Sequence, residues 1–190
     1  MKITRITLFL LLFFLTSLGW AYDIAGVSLP DKQRVSDEST ELMLNGAGVR
    51  SKFFFKIYVA GLYLAQPMDS LQAIEQNRGP KRVAMHFLYD KVEKKKLDDG
   101  WWDGFKANLS SEAFTRLQPQ IETFVGFFKD AHKGDRIWLD YLPGTGTVVS
   151  VNGERVGAIP GDQFYPALLR IWLGEKPVTS SLKKAMLGSD

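Results

Sequence analysis

Residues 42–65 read LMLNGAGVRSKFFFKIYVAGLYLA, and the architecture turns on this stretch. Residues 53–65 are rich in aromatic and β-branched side chains, the composition of a strand. Strict alternation places Phe53, Phe55, Ile57, Val59 and Tyr63 on one face. Phe54, Lys56, Tyr58, Ala60, Leu62 and Leu64 then share the other. Leu42 to Val49 reads as the preceding strand, with Gly46 and Gly48 marking a bulge or a close approach by a ligand or another backbone. The connection has two readings. If Arg50 and Tyr58 face each other, the turn falls near Phe54 and the loop is residues 52–56. Three phenylalanines in an exposed loop are unfavourable unless something covers them. If the turn is at Ser51-Lys52, Tyr58 sits roughly 16 Å from Arg50 and the two cannot share one ligand group.

Outward from this pair, Ile24 to Leu29 reads as a first strand and Asp31 to Thr40 as a loop or edge. Asp69 caps a short helix through Asn77. Lys81 to Tyr89 is a strand with Val83, Met85, Phe87 and Tyr89 on one face. The period then changes. Leu97, Trp101, Phe105 and Leu109 recur every fourth residue, a helical stripe. Phe114 to Phe128 continues a helical pattern that Pro119 is expected to divide. Asp135 to Tyr141 is a strand, and Gly144 to Thr147 is a turn between strands. Asn152-Gly153 marks a tight hairpin. Helices are expected over residues 161–173 and 180–187. Strands early and late, with helices grouped between and after them, predict an α+β fold: an antiparallel sheet with a layer of helices on one face.

Composition narrows the chemistry. The 190 residues contain no Cys and only two His. That excludes disulfides, thiolate metal sites and cysteine nucleophiles, and disfavours His-based metal centres or triads. Residues 1–21 read as a signal peptide: Lys2 and Arg5, the apolar run Ile6 to Leu18, then Gly19-Trp20-Ala21, with cleavage after Ala21. The expected domain is residues 22–190, exported to the periplasm and monomeric, touching a membrane only through the signal during export. The charge of the whole chain is +3, and loss of Lys2 and Arg5 brings it to about +1. A near-neutral chain does not predict nucleic-acid binding.

The residues Asn45-Gly46-Ala47-Gly48-Val49-Arg50 and Lys56 to Leu64, with Tyr89, Gly144 to Thr147, Asn152-Gly153 and Ile171-Trp172-Leu173-Gly174, resemble the chalcone isomerase-like family in order and spacing. The resemblance implies a cleft between sheet and helices. It also implies one of two activities. Plant enzymes of the family close a hydroxychalcone to a flavanone, whereas other members bind fatty acids without catalysis. By this resemblance Arg50 is the anion receptor, able to hold a carboxylate or a phenolate. Tyr58 stands where the enzymes carry threonine, which is similar to the fatty-acid-binding branch. Tyr89 matches a cleft tyrosine that polarises a carbonyl in the enzymes. Lys91, Lys95 and Ser180 fall near positions that contact ligand. Lys95 replaces an asparagine, so the catalytic set is incomplete. The expectation is therefore a non-catalytic binder of a small apolar acid such as a fatty acid, with no cofactor and no metal. An isomerase using Arg50 and Tyr89 is the alternative. A protein-interaction module contacting partners through Phe53 to Phe55 is a third reading.

Overall fold

The computed structural model describes residues 21–35 and 40–188. The expected signal peptide falls outside them except for Ala21. The chain opens with β1 (Ala21–Ile24), β2 (Val27–Pro30), β3 (Lys32–Arg34), β4 (Glu41–Lys52) and β5 (Phe55–Leu64). Then come α1 (Leu71–Gln76), β6 (Lys81–Phe87), β7 (Lys91–Val92), α2 (Lys94–Asn108) and α3 (Ser111–Val125). It ends with β8 (Ala131–His132), β9 (Arg136–Leu142), β10 (Gly146–Val151), β11 (Glu154–Pro160), α4 (Phe164–Leu173) and α5 (Ser180–Met186). Seven strands form one sheet in the order β11-β10-β9-β6-β5-β4-β3, and each neighbouring pair is antiparallel. This is the expected α+β arrangement.

One sheet face carries Tyr58, Ala60, Leu62, Val83, Met85, Phe87, Ile137 and Leu139 into a core shared with Trp101, Phe105, Ile121, Phe124, Phe164 and Trp172 from the helices. The other face is covered in part by Leu29 against Ala47 and Val59, and by Val35 against Tyr63, Ala84 and Val148. On that second face Arg82 grips Asp140 with two bonds, at 2.6 and 2.8 Å, and donates to Gln33 at 2.6 Å. A buried charge is tolerated only when paired and hydrogen-bonded, and this cluster ties β3 to the β6–β9 pair.

Several local expectations need correction. Residues 21–30 are a hairpin with the turn at Ala25-Gly26, both at positive φ, rather than one strand. The cap of α1 is Ser70, whose hydroxyl accepts from the Ala73 amide, and not Asp69. Pro119 does not divide α3, which runs unbroken through it. Tyr89 lies beyond the end of β6. The small β7–β8 pair was not foreseen at all.

The β4–β5 hairpin settles the open question of register. Lys52 pairs with Phe55, so the turn is only Phe53-Phe54. The register then slips by one residue between Arg50 and Ser51, and Arg50 comes to lie directly opposite Tyr58. The extra residue is Ile57, a β-bulge. It breaks the strict alternation: Ile57 and Tyr58 both pack towards the helical side, while Val59 and Tyr63 go to the other face. Phe53 pays for this tight turn with φ 55, a left-handed conformation costing a bulky residue about 1–2 kcal/mol.

The glycines of β4 allow close approach, as expected. A second slip isolates Asn45, whose side chain donates to Met68 and Met186 carbonyls at 2.9 and 2.8 Å and accepts from the Met68 amide at 2.8 Å. A Cβ at Gly46 would overlap the Ala185 carbonyl oxygen, and one at Gly48 would come within 2.9 Å of the Ala185 Cβ. Helix α5 therefore lies directly on β4. Gly46→Ala is expected to cost about 1–3 kcal/mol by overpacking, seen as a lower denaturation midpoint. Ala47→Gly, which leaves this contact alone, should not loosen α5 in hydrogen exchange, whereas Gly46→Ala should.

Candidate functional site

The site is built around the Arg50–Tyr58 pair. Because the two are directly cross-strand, their side chains leave the sheet on the same face. The Arg50 Cζ stands 5.5 Å from the Tyr58 ring centroid, a cation–π contact. Tyr58 is buried, and its hydroxyl accepts a bond from the Trp172 indole N–H at 3.0 Å. Burial raises the Tyr58 pKa above its ordinary value, although Arg50 and the Trp172 bond pull the other way. At neutral pH the phenol thus keeps its proton, for which the described residues supply no acceptor.

Two further donors are in the same position. The Arg50 Nε–H is buried without a partner among the described residues, and so is the Trp101 indole N–H. Arg50, Tyr58 and Trp101 together line a small chamber of about 50 Å³, with Ile57, Phe87 and Ile171 among its apolar walls. That is room for a carboxylate head or about one water. Arg50, Tyr58 and Trp101 thus line one chamber with no carboxylate among its walls, a lining whose chemistry suits an anion.

The chamber shares Arg50, Ile57, Val92, Lys96, Gly100 and Val178 with a larger open cleft of about 710 Å³. One wall of that cleft is the hairpin tip, from Lys52, Phe53 and Phe55. Opposite stands α2, presenting Gly100, Asp103, Gly104 and Ala107. Lys176 and Val178, on the segment that α5 anchors, close a third side. A Cβ at Gly100 would meet nothing within 4 Å, whereas one at Gly104 would press on Ile171 at 3.0 Å. The two glycines thus differ: Gly104 lets α2 seat on α4, and Gly100 leaves space in the cleft.

Of the residues expected at the site, Arg50, Tyr89 and Lys91 line the cleft, and Arg50 and Tyr58 line the chamber. Tyr89 reaches it because the Ile57 carbonyl at the bulge accepts from both the Leu88 and Tyr89 amides, at 2.9 and 3.2 Å. Its ring packs edge-on to Phe55 at 5.5 Å. Lys91 is held by Asp130 at 2.8 Å, and this pairing raises the lysine pKa. Lys95 stands outside the cleft, exposed and paired with Asp99 at 2.8 Å. Ser180 is exposed at the start of α5, likewise outside. Gly100 and Val178 line the chamber, and Trp172 bonds Tyr58 without lining it; sequence reasoning gave none of the three a place at the site. The stripe that placed Trp101 in the core was legible, but an indole N–H left unpartnered is a property of packing alone.

The comparisons agree on the fold. No curated protein matches the chain in sequence. The crystal structure of a fatty-acid binding protein from Arabidopsis thaliana is similar with a TM-score of 0.64 at 15% identity, over 88% of this chain and 96% of that chain. At that identity the likeness is one of fold. The family model described as chalcone isomerase-like matches residues 21–188. This chain therefore belongs to the chalcone isomerase-like family.

Proposed function

We propose that this protein holds an apolar carboxylate, such as a fatty acid, and does not transform it. The observation that supports this reading is that three donor-bearing residues, Arg50, Tyr58 and Trp101, line one small chamber whose walls hold no carboxylate. A carboxylate is a strong acceptor for a guanidinium or a phenol in such a place. The ligand's apolar part lies in the outer cleft against Phe53, Phe55, Ile57 and Val178. It cannot run deeper, because Trp101, Phe124, Phe128 and Trp172 fill the space behind the chamber with mutual ring contacts. A cleft of about 710 Å³ is within the usual range for small-molecule sites. The fatty-acid binding protein of the same fold supports the ligand class. Ring closure of a chalcone is disfavoured, since Tyr58 occupies the threonine place and Lys95 and Ser180 stand away from the cleft. The protein acts in the periplasm, after removal of residues 1–21.

Displacement of a fluorescent fatty acid tests the receptor. Arg50→Gln is expected to weaken binding by about tenfold to a hundredfold, the worth of a charged hydrogen bond. Unchanged affinity overturns the reading. Hydroxychalcone should lose absorbance no faster with the protein than in buffer.

Gly100→Leu provides an opposite-signed check. It should stabilise the protein by up to about 1 kcal/mol through helix propensity, while filling the cleft and reducing ligand affinity. A variant both more stable and equally competent would place the ligand elsewhere.

For export, mass spectrometry of the protein recovered from the envelope should find Tyr22 as the first residue. An intact amino terminus in the cytoplasmic fraction excludes this placement.

A further inference from the structure

The tip of the β4–β5 hairpin carries the most exposed aromatic side chains among the described residues. Phe53 is 86% exposed, Phe54 99% and Phe55 56%. Together with Tyr89 they are four of the six large apolar residues left exposed among the described residues, so this exposure is clustered rather than scattered. Phe55 and Tyr89 touch edge-to-face at 5.5 Å, which makes the cluster continuous. The turn itself is built against local preference. The other tight hairpin turns use Ala25-Gly26 and Asn152-Gly153, whereas this one holds Phe53 at φ 55 with Phe54 beside it. Gly or Asn would fit that conformation better, and neither ring at the turn is buried in return.

The charges around the tip indicate what it meets. Lys52 and Lys56 flank the three phenylalanines, and Lys176 lines the same cleft as Lys52. None of the three has an ion-pair partner among the described residues. Asp103 and the already paired Asp99 are the acids on the facing α2 wall. Lysine is depleted from protein–protein interfaces but attracted to anionic lipid surfaces. A stable protein interface also needs about 800 Å² per partner, which a two-residue protrusion does not offer as a face. Aromatic rings at the end, with lysines set back from them, suit the headgroup boundary of a bilayer.

We propose that the Phe53-Phe54 tip docks this protein on an anionic membrane. The rings enter the headgroup region, and Lys52, Lys56 and Lys176 meet lipid phosphates. The assignment does not depend on what the cleft holds, although docking would bring the cleft mouth to the lipid surface, since Phe53 and Phe55 line both.

Co-sedimentation with vesicles of phosphatidylglycerol and phosphatidylethanolamine tests it, with phosphatidylcholine vesicles as control. Phe54→Ser is the informative variant, because Phe54 touches neither core nor cleft. The wild type should sediment with the anionic vesicles and be released by high salt. Phe54→Ser should bind them at least about tenfold more weakly, the effect of removing one ring from an apolar environment. Phe54→Trp should keep binding, and its emission should shift to the blue on addition of vesicles. Wild type left in the supernatant overturns the proposal, as does Phe54→Ser sedimenting like wild type. Capture of a protein through Phe54, without vesicle binding, likewise overturns it. Displacement of a fluorescent fatty acid without vesicles should be the same for wild type and Phe54→Ser. A failed receptor is read there, and a failed membrane contact only with vesicles.

Discussion

The register of one hairpin decides which side chains meet at the cleft. The two-residue turn at Phe53-Phe54 would by itself pair Arg50 with Ile57 and turn Tyr58 to the opposite face, beside Val49. The bulge at Ile57 adds the one residue that brings Tyr58 round to Arg50. From there the consequences spread through contacts. Tyr58 reaches Trp172 on α4, and the Ile57 carbonyl takes the amides that carry Tyr89 to the cleft. Sheet, α4 and the loop after β6 meet at a single irregularity. A β-bulge beside a functional site is a common way to re-aim a side chain.

A second constraint comes from β4. Asn45 and the glycines that follow it bring α5 against the strand, with Asn45 holding both the loop before α1 and the end of α5. The segment leading into α5 then supplies Lys176 and Val178 to the cleft. Small residues on β4 thus act on the site from the far end of the chain, without touching it themselves. The polar groups show the same economy. Arg82 and Asp140, buried on the other face, bond each other twice, whereas the Arg50 Nε–H and the Trp101 indole N–H lack partners among the described residues, as does the indole N–H of Trp138 beside Arg82.

Much of this was legible in the residues, for definite reasons. The strand composition of 55–64, the stripe from Leu97 to Leu109 and the Asn152-Gly153 turn are local signals, and each matched its element. The failures are equally specific. Phenylalanine signals strand, so the turn at Phe53-Phe54 was hidden inside an aromatic run. Ala25 carries no turn signature, so the first hairpin read as one strand. A bulge leaves no trace in hydrophobic alternation except a change of parity, which is why the placement of Arg50 against Tyr58 had two readings. Pro119 argued for a break that tertiary packing of Leu117, Ile121 and Phe124 overrides. Trp172 lies 114 residues from the tyrosine it supports, beyond the reach of any local pattern.

The receptor and the exposed tip are carried by the same two strands. Arg50 and Phe53 are three positions apart, roughly 10 Å of strand, with ladder pairing at Ser51 and Lys52 in between. No loop separates them, so the tip cannot move far without moving the Arg50–Tyr58 pair. A rigid link of this kind does not open or close a site. It fixes the distance between the Arg50–Tyr58 pair and the exposed rings. The cleft wall runs along the hairpin from Arg50 to Phe53 and Phe55, so the lining of the cleft and the exposed rings form one continuous surface.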